Sequence, residues 1–497
     1  MRVREIVPSH PLFAKSVVML MSIALVGTVI GKLFRYFLQF FIARGLGAGA
    51  VGFFAFGLVV LQIGATFARA GFDVAAEKYV SIHESDGDER KLTGAVFSTF
   101  LFSIGFAIVT VLVLNIGLEL FETGYEAYRP VIRHFSVGIP LLALMMVGMH
   151  ATRGFKETKY SVYTRDIAQS GLAVTLIAIV SFAVSDLRLV IYSYILSLAV
   201  GVVLVVYYLY RLGAFAAYAN PVLQSREILT FSLPLLFAGV SSTAASWIDI
   251  LFLSAFVSPD NVGIYQIAFQ TSMLMTTIIY AANMIFPSLI ADAYSNGNRT
   301  YLRDLYTSIT KWTAYVTLFL SLFLVVFSSE ILSLFGSEFT AGSSTLIALI
   351  GGQVIVASTG PSGFVLKMTE FERLELYNSI GMLVLNAALN YVLIQWYGIF
   401  GAAIATTFSL ATLNIARLLE AKYYVGVLPY SLDYWKGVAA LWPPLLVFLL
   451  VSEVLTGIAA LVVSGTIGGV TFLAIIYLLG LENRDRVLIE AIEQEEI

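Results

Sequence analysis

The sequence predicts an all-α polytopic membrane protein of about 14 transmembrane helices, arranged as two pseudo-twofold six-helix lobes followed by two C-terminal helices. Three observations carry that reading. Only 12% of the 497 residues are charged and 59% are hydrophobic, about half the charge an ordinary soluble surface carries. The charges cluster, and apolar stretches of membrane-spanning length lie between the clusters. Several segments also recur at one constant offset of 211 residues, as Val51-Gly52 does at Val262-Gly263.

The same composition excludes a soluble enzyme, a nucleic-acid binder and a disordered chain, since a formal charge of −3 carries no signal for nucleic acid. With no cysteine there are no disulfides, thiolate metal sites or cysteine nucleophiles. The four histidines, His10, His83, His134 and His150, are too scattered in sequence to suggest a metal cluster.

Stretches of about 20 to 28 mostly apolar residues are read as spans. They run over 16–43, 51–75, 93–117, 131–151, 160–183, 189–210, 228–256, 262–290, 306–328, 343–366, 374–396, 399–420, 437–455 and 457–480. The first opens behind Arg2, Arg4 and Lys15 without a small-residue cleavage site, so no removable signal peptide is expected.

Orientation follows from lysine and arginine on alternate connections. One side collects most of them, from Lys78, Arg90 and Lys91 through Arg153, Lys156 and Lys159 to Arg299, Arg303, Lys422 and Lys436, whereas the other holds Arg44, Arg129 and Arg188. Both termini are therefore expected in the cytoplasm, and a cell-membrane location follows.

The repeat extends from Thr99 and Thr310 to Lys156-Glu157-Thr158-Lys159-Tyr160 and Lys367-Met368-Thr369-Glu370-Phe371. It divides the chain into an N-lobe at 1–215, a C-lobe at 216–425 and an added segment at 426–497. Six spans per copy is an even number, so the copies share orientation and their pseudo-twofold axis lies along the membrane normal. A ligand site is then expected between the halves near mid-membrane.

Several motifs imitate chemistry. Gly47-x-Gly49-x-x-Gly52 matches a dinucleotide fingerprint but follows a membrane-length helix, so it is read as a tight turn whose glycines supply positive φ. Gly27-x-x-x-Gly31-Lys32 is one residue short of a phosphate loop and has Leu33 where a hydroxyl would meet magnesium; its glycines are read as helix-packing positions. Asp86-Gly87-Asp88 sits in a polar turn and is read as turn chemistry. Pro140, Pro234, Pro287 and Pro361 permit bends in or beside spans. The tail from Glu482 is read as a solvated amphipathic end.

Ionisable residues inside spans carry the functional signal, because each costs roughly 2.5–3.5 kcal/mol at a helix centre on insertion scales. They are Lys32, Arg35, Arg69, Arg133, Arg165, Lys311 and Arg417 against Asp73, Asp166 and Asp249. The bias is cationic, which suits an anionic ligand group such as a phosphate and is the reverse of what a cation exporter needs.

Lys32, Arg35 and Gln39 at i, i+3 and i+7 share one helical face. Three readings stand for it: a headgroup phosphate site, an ion pair with Asp249, or edge residues snorkelling to the interface. In the second copy Ser242, Ser246 and Asp249 form the matching face, with Ser246 at the position of Arg35 and Thr243 at that of Lys32. The cavity set is therefore Lys32, Arg35, Gln39, Ser246 and Asp249. Arg69 and Asp73, Arg165 and Asp166 with Gln169, Lys311, and Asn414 with Arg417 are read as a cytoplasmic vestibule or gate. Asn386 and Asn390 are expected in interhelical hydrogen bonds, and Arg133 with His134 at an interface.

Lys32-Leu33-Phe34-Arg35-Tyr36-Phe37-Leu38-Gln39 through Gly47 to Val51-Gly52-Phe53 resembles the opening of polysaccharide flippases of the MOP superfamily. Phe231-Ser232-Leu233-Pro234, Trp247-Ile248-Asp249 and Asn261-Val262-Gly263-Ile264-Tyr265 are similar to the start of that family's second lobe. The resemblance implies a V of two lobes working by alternating access. It also implies a lipid-linked oligosaccharide, on an undecaprenyl or dolichyl phosphate carrier, moved from the cytoplasmic to the outer leaflet, with cations in the central cavity matched here by Lys32 and Arg35. No cofactor or metal is expected; Asp73, Asp166 and Asp249 are the carboxylates able to hold a coupling proton or Na+. Two other classes were weighed, a MATE-type ion-coupled drug or cation exporter and a membrane glycosyltransferase, the latter lacking a metal pair among Glu119, Glu122 and Glu126.

The sequon Asn298-Arg299-Thr300 falls on the cytoplasmic side. Expressed in a host with N-glycosylation, the chain is expected to show no glycosidase-sensitive gel shift at Asn298; a glycan there inverts the topology.

Overall fold

The computed structural model describes residues 11–120, 124–431 and 434–479, and every regular element among them is helical. A bilayer forces this, because without water each backbone N–H and C=O must be satisfied inside its own segment unless a closed barrel forms. Eleven helices are long and apolar enough to cross a membrane, or twelve if the bent pair Glu126–Ser136 and Gly138–Gly154, 49° apart, counts as one. Fourteen spans are expected from the sequence, and length and apolarity alone do not confirm that count. The ranges 374–396 and 399–420 share one run, Glu372–Glu420, but meet at a break at Gly398 with φ 56°, where the expected boundary lies. The range 262–290 is divided between Pro259–Met273 and Thr276–Ser295. The expected tail from Glu482 lies outside the described residues, as do Arg2, Arg4 and Glu122.

The chain forms two compact units. The first is Leu20–Gln266; the second runs from Ile267 onward and includes the first residues of the opening helix. In the first unit α1 (Pro11–Leu46) turns at Gly47 into α2 (Ala48–Arg69), followed by α3 (Phe72–Asp86) and α4 (Glu89–Leu120). Then come α5 (Arg129–Ser136), α6 (Gly138–Gly154) and α7 (Lys159–Val162), which runs through a π-helical segment, Tyr163–Gln169, into α8 (Ser170–Ala183). The unit continues with α9 (Leu187–Arg211), α10 (Ser225–Ser246), α11 (Ile248–Phe256) and the start of α12 (Pro259–Met273). Phe72, Val80, Val96, Val147 and Leu209 are all buried in one cluster that joins α3, α4, α6 and α9.

The span expected over 51–75 is broken. Ala70 at φ 41° and Gly71 at φ 82° end α2 and restart the chain as α3. The break admits α10, since a Cβ on Gly71 would stand 2.6 Å from the Ser232 carbonyl oxygen. Thr66 and Thr243 share a 3.2 Å hydrogen bond between α2 and α10. The compact unit thus holds α10 and α11, although the repeat assigns them to the copy beginning at 216. Among the fingerprint glycines only Gly47 has positive φ, at 84°; Gly49 and Gly52 serve close packing. Gly87, at φ 69°, closes the Asp86-Gly87-Asp88 turn, and Asp88 accepts from the Lys91 amide at 3.0 Å, as a turn reading requires.

The second unit contains α13 (Thr276–Ser295), α14 (Arg299–Val326), α15 (Ser328–Ser333), α16 (Ser343–Thr359), α17 (Ser362–Met368) and α18 (Glu372–Glu420). It closes with α19 (Tyr434–Ala439), α20 (Trp442–Val454) and α21 (Gly457–Leu479). Tyr306 on α14 donates to the Thr359 carbonyl at 2.8 Å where α16 ends, and Gly360 at φ 62° leaves room there for Thr310. Phe319 stacks on Phe472 with centroids 4.6 Å apart and meets Phe448 at 5.7 Å, so aromatic packing fixes the two C-terminal spans to α14. Pro234 and Pro287 lie inside α10 and α13, and Asn298 caps α14 by accepting from the Tyr301 amide.

Two glycines of α4 separate packing from propensity. A Cβ on Gly94 would stand 2.0 Å from the Val222 carbonyl oxygen, whereas one on Gly105 meets nothing within 4 Å. Gly94→Ala is expected to destabilise by about 1–3 kcal/mol through overpacking, and Gly105→Ala to be neutral or stabilising by up to about 1 kcal/mol. Thermal melts of the detergent-solubilised protein check the pair; equal losses at both positions contradict the packing account.

Candidate functional site

The site is built where α1 approaches the π-helical segment. Gly27 and Gly31 make the approach feasible: a Cβ on Gly27 would lie 2.1 Å from Val162 Cγ1, and one on Gly31 2.6 Å from Asp166 Oδ1. The packing role expected for this pair is therefore its role, and what it packs against is the site carboxylate. One turn further along α1, Arg35 Nη1 lies 3.2 Å from Asp166 Oδ1 and 3.5 Å from Ser170 Oγ. Ser170 Oγ in turn donates to the Arg165 carbonyl at 2.9 Å.

A small cavity opens beside this pair inside the first unit. Its polar lining is Arg35, Gln62, Arg165, Gln169, Ser170 and Tyr194, and its volume is about 50 Å³. A single water needs roughly 10–15 Å³ on the same measure, so the space admits about four water-sized groups. Gln169 donates to Ser197 Oγ at 2.9 Å, which holds its amide against α9. Two guanidiniums line the space and one carboxylate, Asp166, faces them, so the group carries net positive charge. The π-helical turn is what places Arg165 and Gln169 on the cavity side, a distortion that recurs at functional sites.

The structure sorts the expected residues. Lys32 lies on the same face of α1, half-buried and near enough to Arg35 for their charges to repel. Gln39 is buried, and its Oε1 has no hydrogen-bond partner among the described residues. On the face read as able to pair with Asp249, Arg35 bonds Asp166, while Asp249 Oδ2 accepts from Tyr265 Oη at 2.6 Å. Ser246 is exposed and donates to its own helix at the Ser242 carbonyl. Thr243, at the repeat position of Lys32, bonds Thr66, so the second copy uses that position for packing rather than charge.

The vestibule set also divides. Arg165 and Asp166 join Arg35, which sequence spacing could not reveal because they lie on another helix. Arg69 bonds Asp73 at 3.1 Å and Thr66 at 3.0 Å, and the pair bridges the break between α2 and α3 instead of lying within one helix. Close by, His150 Nδ1 lies 2.8 Å from Glu77 Oε2, a contact between α6 and α3 that the sequence did not suggest. In the second unit, Arg417 is bound by both carboxylate oxygens of buried Glu375, with Lys367 Nζ 3.7 Å from the same group. Asn414 donates to the Leu410 carbonyl of its own helix. Lys311 is 3% exposed, buried within α14 packing and 5.5 Å from the Trp312 ring. Asn390 bonds Asn386 within α18. Arg133 pairs with Glu119, and His134 bonds Tyr192, at an exposed edge. Among the described residues no group of His, Cys, Asp and Glu could hold a metal ion.

A family model described as "Polysaccharide biosynthesis protein" matches residues 18–291, which is more than half of the chain and contains the whole cavity. The chain belongs to that family. A second model, MatE, matches residues 234–392 of this polysaccharide biosynthesis family member. The chain is similar, 28% identical over 222 residues, to the "Probable low-salt glycan biosynthesis flippase Agl15" of Haloferax volcanii; the match covers 44% of this chain and 47% of that protein, so about half the length of the relative. By fold it is similar to the lipid II flippase MurJ in an inward closed conformation, at TM-score 0.69 and 12% identity over 90% of this chain and 97% of that one. It is likewise similar to an inward-facing multidrug resistance MATE transporter of the MOP superfamily, at TM-score 0.67 and 18% identity over 80% and 94%. The MOP fold expected from the opening residues is thus the fold observed.

The two charged groups of this polysaccharide biosynthesis protein differ in what they stabilise. Glu375 is 3% exposed and Arg417 bonds both of its oxygens, leaving it Lys367 at 3.7 Å as a cation partner if Arg417 is lost, so Arg417→Met is expected to cost about 3–5 kcal/mol. Arg35 is 41% exposed at its side chain, so Arg35→Ala is expected to cost less than about 1 kcal/mol. Melting temperatures of the two variants test this; a large loss at Arg35 makes its pair structural.

Proposed function

We propose that this protein is a flippase that carries a polyprenyl phosphate-linked oligosaccharide, on an undecaprenyl or dolichyl carrier, from the cytoplasmic to the outer leaflet by alternating access. The observation that supports it most is the cavity beside Arg35 and Arg165, where two guanidiniums face one carboxylate between helices of membrane-spanning length. Like charges inside spans are costly without a counter-ion, and a lipid phosphate is an anion whose tail stays in the bilayer while its headgroup enters protein. Lys32 and Gln39 extend the same polar face of α1. Similarity to a named glycan flippase supports the substrate class. No chemical bond changes in such a step, so the protein acts as a carrier and not as an enzyme.

On this reading Asp166 is the resident counter-ion of Arg35. An arriving phosphate competes for the guanidinium and frees the carboxylate, which makes Asp166 a coupling group for a proton or Na+, alongside Asp73 and Asp249. Ser246 and Asp249 belong to the second-copy face expected to line the same path. The lobes are 1–215 and 216–425 with 426–497 added, the membrane is the cell membrane, and both termini are cytoplasmic.

Cation export is the competing reading, favoured by the MatE match and opposed by the sign of the cavity charge. Arg35→Ala and Lys32→Ala are each expected to abolish glycan export while the protein still inserts at normal levels. Surface glycan staining and membrane immunoblots measure both. Normal glycan in both variants removes the site, and export of a cationic dye that depends on Asp249 replaces the reading with the exporter.

A further inference from the structure

Within the first unit, two pairs of residues stand at the 211-residue offset and touch one another: Ala48 with Pro259, and Gly52 with Gly263. A Cβ on Gly52 would stand 1.9 Å from the Pro259 carbonyl oxygen, and one on Gly263 2.0 Å from the Ala48 carbonyl oxygen. Each would also stand 3.0 Å from the other glycine's nitrogen. The contact is therefore its own image under the repeat: each helix offers the other the same backbone atoms. It joins the first turns of α2, which begins at Ala48, and α12, which begins at Pro259.

The chemistry of this contact is close-fitting and weak. Glycine Cα–H groups point at carbonyl oxygens, a second-order attraction, and the closest approaches are to backbone atoms. Two helix N-termini, both carrying positive partial charge, are brought together. Asp260 offsets that charge: its Oδ1 stands 3.0 Å from the Cβ position of Gly49, beside the first turn of α2. Such a junction has no salt bridge to break and can be reseated only in one register, because any side chain at the crossing would strike backbone.

We infer that Gly52 and Gly263 form a self-matching clasp that shuts the membrane face bearing the α1–α2 and α11–α12 turns, and that the clasp parts each time that face opens. The inference rests on the alternating-access reading for its role, and on geometry alone for its existence.

The chain has no cysteine, so an introduced pair has no background. Asp260 Cγ lies 3.6 Å from the Cβ position of Gly49, where a sulfur would sit. In the G49C/D260C protein, oxidation in membranes is expected to abolish maleimide labelling and to lower glycan export at least tenfold, with export restored by reduction. A complete crosslink with undiminished export makes the contact a fixed pivot and overturns the clasp. Absence of any crosslink in a monodisperse protein overturns the contact itself. A second measurement is independent of export: spin labels on the same cysteines, in vesicles containing undecaprenyl pyrophosphate, are expected to give a short and a long distance population. Gly52→Ala is expected to move population to the long one. A single short population unaffected by Gly52→Ala overturns the clasp even where export is unmeasurable, and loss of export in the reduced pair with both populations present counts against the flippase reading instead.

Discussion

The approach of α1 to the π-helical turn depends on two missing side chains. At Gly31 the Asp166 carboxylate occupies the volume that any Cβ would claim, and only from there does it reach Arg35. Helices in a bilayer gain little from burying apolar groups, since lipid is as apolar as leucine, so contact distance sets the strength of association. The same device recurs at Gly71 against Ser232, at Gly94 against Val222 and at Gly52 against Gly263. Placement of the charged groups follows from these backbone contacts, because a guanidinium on a helix one side chain further away would face lipid instead of a carboxylate.

The helical class, most of the spans and the internal repeat were legible in the sequence because each is a one-dimensional signal: hydropathy, loop charge and offset. The cationic character of the site was legible for the same reason. Which carboxylate meets Arg35 was not. Asp166 and Asp249 are equivalent in hydropathy and both sit opposite α1 on paper; only the glycine-set approach of α1 to Tyr163–Gln169 selects Asp166. The break at Ala70 was hidden because a non-glycine residue adopts the left-handed conformation there, at a cost that tertiary packing of α10 over the break offsets. Lys311 is buried and Arg417 largely so, and burial inside a bundle and exposure to a wet path look alike in sequence.

Some positions related by the 211-residue offset carry different residues. Lys32 and Arg35 in the first copy correspond to Thr243 and Ser246 in the second, and Thr243 bonds Thr66 of α2. The second copy concentrates its buried charge elsewhere, in the Lys367, Glu375 and Arg417 group, where the carboxylate is fully enclosed. Both groups set two cations against one carboxylate; in the second the carboxylate is enclosed and bound by Arg417, and in the first the guanidiniums border a cavity.

The π-helical turn at Tyr163–Gln169 also makes the site a matter of reading frame along one helix. An α-helix advances about 100° per residue, and a π turn holds one residue more than the α turn it replaces. Loss of a single residue there would leave a regular helix of unaltered hydropathy and would swing Arg165 relative to Gln169 and α8 by that angle. Charge lining the cavity can therefore be gained or lost by one insertion or deletion, with no charged residue replaced. Among related chains, polarity of this space is then a property of helix register as much as of residue type, and aligned columns without gaps would misplace it.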